Sequence, residues 1–161
     1  MGTYDTAQVC RNGHAINDRA GRSPQHNQPF CDKCGAPTLT ACESCQTPIR
    51  GDYISDVVFG GGFAYVPPAY CLNCGQPYPW MGAALDAARD LADELDGLSA
   101  EERESLKGTL DDLVRDSART PVASLRFKKL VAKTGKEGAG MLKDVLVGVV
   151  SEAARKAIWG A

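Results

Sequence analysis

Seven cysteines and one of the two histidines form four close pairs along the chain: Cys10-x3-His14, Cys31-x2-Cys34, Cys42-x2-Cys45 and Cys71-x2-Cys74. Two residues between thiolates let one tight turn aim both sulfurs at a single ion, and zinc takes four such donors tetrahedrally. Eight ligands make two closed sites, so the spacing predicts two Zn2+ per chain. His14 follows Asn12-Gly13, a turn dipeptide that points its imidazole at the ion. His26 stands in a polar stretch with no cysteine beside it and reads as a solvated loop residue.

An internal repeat supports metal over other cysteine chemistry. Phe30-Cys31-x-x-Cys34-Gly35-x-Pro37 recurs as Tyr70-Cys71-x-x-Cys74-Gly75-x-Pro77, and Cys42-x-x-Cys45-x-x-Pro48 is a degenerate third copy. Glycine after the second ligand permits the positive φ that such a knuckle needs. A disulfide framework would leave an odd cysteine and requires an oxidising compartment. A thioredoxin-type redox pair needs a βαβ context that is missing, and one iron–sulfur cluster would strand half of the ligands. Two pairings stay open. Sequential pairing joins Cys10, His14, Cys31 and Cys34 in one site and Cys42, Cys45, Cys71 and Cys74 in the other. Cross-brace pairing joins the first pair with the third and the second with the fourth.

The elements that must position these ligands are short. Residues 53–59 and 63–66 flank Gly60-Gly61-Gly62 and read as a β-hairpin between the two knuckles of the second site. The expected fold class is small α+β: a double zinc ribbon of knuckles and short hairpins over residues 1–80, then a helical domain over 81–161. The segments YDTAQVCRNGH, FCDKCG, CESCQTPIRG, PPAYCLNCGQPYPW and SEAARKAIWG together resemble a bacterial family of uncharacterised double zinc-ribbon proteins. That resemblance covers nearly the whole chain. It implies a bacterial cytosolic protein with the same eight ligands, and it supplies no activity.

The helical half reads as about four helices. The first spans about residues 81–96, with Leu85, Ala88, Leu91, Ala92 and Leu95 on one face and Gly97 as its stop. The second opens with a capping box, Ser99 with Glu102. The third takes Thr120 as cap with Pro121 at its first position and stops near Gly135. The fourth, about 139–159, carries apolar pairs every four residues, a stripe that drifts around the helix. Val145, Leu146, Val149 and Val150 on that stripe are expected to form an interface for a protein partner or a second copy of the chain.

Charge is segregated along this half. Residues 86–116 carry a net −7 and residues 119–156 a net +6. Opposed helix faces attracting each other across a bundle account for this pattern. The alternative is a surface for nucleic acid or acidic membrane on Arg126, Lys128, Lys129, Lys133 and Lys136. The whole chain, at −2 over 161 residues, has no global attraction to phosphate. Tyr65, Tyr70, Tyr78 and Trp80 supply either a small core around the second metal or a recognition patch.

No segment has the length or apolarity of a membrane span, and the start lacks the basic and apolar regions of a secretory signal. The expected location is cytoplasmic, where thiols stay reduced. Closed four-ligand sites leave no open position for a catalytic water, and the Gly60–Gly62 run lacks the Lys-Ser/Thr of a phosphate loop. The reading is therefore a non-enzymatic zinc scaffold for protein–protein interaction or self-assembly. A nucleic-acid-binding ribbon that uses the basic 119–136 segment is the alternative.

Overall fold

Threonine and tyrosine favour extended backbone, and the Thr3–Thr6 run forms strand β1, antiparallel to β5 (Arg50–Ile54) with Tyr4 opposite Tyr53. A second sheet has the order β3-β2-β4, with β2 (Gln8–Cys10) between β3 (Ala15–Asn17) and β4 (Thr38–Leu39). The computed structural model describes residues 2–57 and 64–160. The chain divides into two compact units, Met1–Gly82 and Ala83–Ala161.

In the first unit all three residues of the central strand β2 are buried. A buried amide must be hydrogen-bonded or it costs free energy. Gln8 meets that demand: Nε2 donates to the Gln28 carbonyl and to Thr38 Oγ1, and Oε1 accepts from the Gln28 N–H, each at 2.9 Å. This clamp ties the approach to Cys31 to the strand that ends in Cys10. The hairpin expected over 53–66 is absent from its described part. β5 ends at Ile54 and pairs with β1 instead, residues 64–66 form no strand, and 58–63 lie outside the described residues.

The second unit is helical: α1 (Pro79–Glu94, which begins in the first unit), α2 (Ala100–Leu113), α3 (Thr120–Ala132), α4 (Gly135–Leu146) and α5 (Glu152–Trp159). Gly97 turns the chain after α1 at φ 89°, where a Cβ would run into the Lys133 carbonyl. The α2 capping box is complete, with the Ser99 N–H donating to Glu102 Oε2 at 2.9 Å and the Glu102 N–H to Ser99 Oγ at 3.1 Å. Thr120 is not the cap of α3. It lies in the helix, donating from Oγ1 to the Arg115 carbonyl at 2.7 Å, and Arg119 occupies the cap position.

The single fourth helix expected over 139–159 is two helices, so the unit has five rather than four. The break falls at 147–151, where the Ser151 N–H donates to the Leu113 carbonyl at 2.9 Å and Ser151 Oγ caps α5 by accepting from Ala154 N–H at 3.2 Å. A four-residue apolar spacing would drift off a straight helix. Breaking it re-aims the second half, so that Leu142 and Leu146 from α4 and Val150 and Ala154 after them enter one core with Leu106, Leu110, Leu113 and Phe127. Trp159 closes the end of this core edge-on to Phe127, their ring centroids 6.3 Å apart.

Candidate metal centres

The three Cys-x-x-Cys turns share one backbone plan. In each, the N–H of the fourth residue after the first cysteine returns to that cysteine's carbonyl: Gly35 to Cys31, Gln46 to Cys42 and Gly75 to Cys71, at 2.8–2.9 Å. The cysteine N–H in turn donates to the carbonyl of the fifth residue, Ala36, Thr47 or Gln76, at 2.9 Å. The residue after the second ligand is left-handed in all three, Gly35 at φ 73°, Gln46 at 63° and Gly75 at 74°. The degenerate copy therefore keeps the conformation without the glycine.

These turns, with the end of β2, assemble the ligands into two groups of four: Cys10, His14, Cys31 and Cys34, and Cys42, Cys45, Cys71 and Cys74. Within each group the ligand atoms lie within 4.8 Å of one another. The grouping is the sequential one. An ion bound tetrahedrally at zinc distances holds two sulfurs about 3.8 Å apart and a sulfur and a nitrogen about 3.6 Å apart. Cys10 Sγ and Cys34 Sγ are 3.7 Å apart, as are those of Cys42 and Cys74, and those of Cys45 and Cys71 are 3.6 Å apart. His14 Nδ1 stands 3.4 Å from Cys10 Sγ and 3.5 Å from Cys31 Sγ. A disulfide would bring a pair to about 2.0 Å. Both donor sets thus fit one tetrahedral metal ion each.

Each first cysteine is buried, while Cys34 and Cys74 reach the surface. Donors from the protein favour the thiolate form at several positions. Cys34 is lowered to about 6 by the Ala36 N–H and by the Asn12 side-chain amide, whose Nδ2 is 3.3 Å from its sulfur. Cys45 is likewise lowered to about 6, by the Thr47 hydroxyl at 3.2 Å and the Thr47 N–H, with Asn73 adding to them. Other positions oppose this. Burial raises the Cys10 thiol. At Cys74 the Gln76 N–H pulls down, but burial and the sulfurs of Cys45, Cys42 and Cys71 outweigh it and push the thiol up to about 12. Four close thiols cannot all ionise against one another; a divalent ion among them removes that repulsion.

An aromatic pair connects the two centres inside the first unit. Tyr78, whose phenol is pushed up by burial and by the neighbouring Cys71, stacks on Trp80 with centroids 4.7 Å apart and an interplanar angle of 12°. Trp80 donates from Nε1 to the Pro68 carbonyl at 3.0 Å and covers Gly13, where an added Cβ would lie 3.0 Å from Trp80 Cβ. Gly13, at φ 90°, is the turn residue before His14. Tyr78 and Trp80 are buried and stacked, which is the small core that the sequence offered for them, while Tyr65 and Tyr70 are half-buried. Among the described residues the exposed aromatics are Phe30, Tyr4 and Tyr53; the last two have ring centroids 5.1 Å apart, with the Arg50 guanidinium 4.4 Å from the centre of the Tyr4 ring.

The remaining expected residues fall elsewhere. His26 closes a short 3-10 turn, Pro24–His26, and joins neither ligand group. Leu146 and Val150 are buried in the core of the second unit, with Val145 and Val149 packed partly buried against it. Of the stripe expected as an interface, Leu146 and Val150 are therefore taken up by the core of their own unit once the helix is broken, while Val145 and Val149 keep part of their surface. Lys133 pairs with Glu102 and Arg119 with Asp112 (3.2 Å), so part of the segregated charge is matched within the bundle. Gln8, Asn12, Thr47 and Asn73 were not singled out by spacing. Only Asn12 carries a signal, its place in the turn before His14.

The family model described as "Uncharacterized protein conserved in bacteria" (DUF2321) matches residues 3–158. The chain belongs to this family. No curated protein and no solved structure matches it. Among the described residues, no helix is long and apolar enough to cross a membrane.

Proposed function

We propose that this family member is a non-enzymatic scaffold whose first unit is folded around two zinc ions and presents a rigid surface to a protein partner. The observation that carries the reading is ligand number. Each centre offers four protein donors at mutual distances that suit a tetrahedral ion, and a catalytic zinc keeps one position open for water or substrate. Zinc suits the mixed Cys/His set, and reduced thiols suit the bacterial cytoplasm. The surface best suited to a partner is the exposed Tyr4–Tyr53–Arg50 face, since aromatics and arginine dominate binding hot spots. The alternative nucleic-acid reading of 119–136 has less support. Its single aromatic, Phe127, is 1% exposed and offers no base a stacking platform.

Metal analysis joined to cobalt substitution tests this. Two zinc per chain are expected, with a cobalt spectrum that added azide or cyanide leaves unchanged. An exogenous ligand that alters the spectrum would reveal an open position and overturn the structural role. For the interaction, a photo-crosslinker at position 53 in the bacterial host is expected to give a discrete adduct that Tyr4→Ala removes. No adduct from fully metal-loaded protein would overturn it.

A further inference from the structure

Helix α3 buries Thr120, Ala123, Ser124, Phe127 and Val131. At 100° per residue its opposite side collects Val122, Leu125, Arg126, Lys129 and Lys133 into one arc of about 100°. All five are exposed, and Val122 and Leu125 keep 45% and 55% of their surface in water. The helix contains no acidic residue. Lys133 is engaged by Glu102, whereas among the described residues Arg126 and Lys129 make no ion pair. Lys128 flanks the arc, bonded to the Ala157 carbonyl at 3.3 Å, and exposed Lys136 follows in the next turn.

We propose that this face docks on an anionic phospholipid surface, with α3 lying along the headgroups, its basic side chains at the phosphates and Val122 and Leu125 entering the acyl boundary. Two features select this occupant. Basic residues attract any polyanion, but a nucleic-acid phosphate strip would leave Val122 and Leu125 against charge. A bilayer boundary gives them an apolar medium beside the phosphates. The chain's net charge of −2 also makes the attraction local to this patch, so it orients the molecule on the surface. This docking is independent of the metal centres and of the Tyr4–Tyr53 face, and it stands if the scaffold reading falls.

The experiment is co-sedimentation of the intact, metal-loaded chain with equimolar phosphatidylglycerol/phosphatidylethanolamine vesicles at low salt, beside vesicles of phosphatidylcholine alone. Binding is expected to the first only, and to weaken as salt is added. Arg126→Glu with Lys129→Glu is expected to weaken it at least about thirtyfold. Leu125→Ser, which leaves the charge unchanged, is expected to weaken it about fivefold to tenfold. Both variants alter exposed positions, and unchanged circular dichroism verifies their folding. Absence of binding to the anionic vesicles would overturn the proposal. So would binding indifferent to Leu125→Ser, or tighter binding to duplex or single-stranded DNA in the same buffer, which would make the arc a simple polyanion surface.

Discussion

Gln46 adopts in the second metal centre the left-handed backbone that glycine adopts in the two other knuckles, φ 63° against 73° and 74°. For a residue with a Cβ that conformation costs roughly 1–2 kcal/mol. Gln46→Gly removes the cost but restores unfolded-chain freedom worth about 0.5–1 kcal/mol. The lost side-chain contact, Nε2 to the Glu43 carbonyl at 3.4 Å on the surface, is too long to weigh much. The net expectation is a stabilisation of about 0.5–1 kcal/mol. For a unit of this size that raises the unfolding midpoint by about 2–8 °C. Gly75→Gln in the same centre is the control: a Cβ there meets nothing within 4 Å, so only the backbone term acts, with opposite sign. The two changes together should nearly cancel. The readout is the temperature at which the second centre yields its ion to a chromogenic chelator at fixed total metal. A lowered midpoint for Gln46→Gly, or an unaffected one for Gly75→Gln, would refute the strain argument.

Three further outcomes are expected. Cys71→Ser should empty the centre built on Cys42, Cys45 and Cys74 and leave one metal held by Cys10, His14, Cys31 and Cys34, while His14→Ala should weaken the first centre and His26→Ala leave the stoichiometry at two by elemental analysis. Phe127→Ala should cost about 3–5 kcal/mol in denaturant unfolding of the helical unit, because its ring is 1% exposed at the centre of that core. Glu102 has a carboxyl lowered from 4.5 by Lys133, with the Ser99 N–H adding to it, so its folded pKa lies below its unfolded one. Its contribution is present above the unfolded pKa and fades as pH falls through the lowered value; melts of wild type and Glu102→Gln should differ at pH 7 and converge towards pH 3.

Ligand identity was legible in the chain because it is a local matter. Two donors three or four residues apart need one turn, and the turn needs only its own backbone, which is why the repeat of Cys31–Gly35 at Cys71–Gly75 returns as the same hydrogen bonds. The Ser99–Glu102 box and the stop at Gly97 were local in the same way. Which turns share an ion is decided by closure over the 25 residues between Cys45 and Cys71, and spacing alone admits two answers. Strand β5 shows the same limit: its own residues favour a hairpin with the chain that follows, yet its partner is β1, more than forty residues earlier. Residues 145–150 read as an interface because a periodicity argument assumes an unbroken helix, and the Leu113 carbonyl that takes the Ser151 N–H lies on another helix, beyond the reach of any local pattern. The aromatics Tyr78 and Trp80 went to the core and Tyr4 and Tyr53 to the surface for a comparable reason. Residue type sets the affinity for burial, and only the packed structure decides which rings find it.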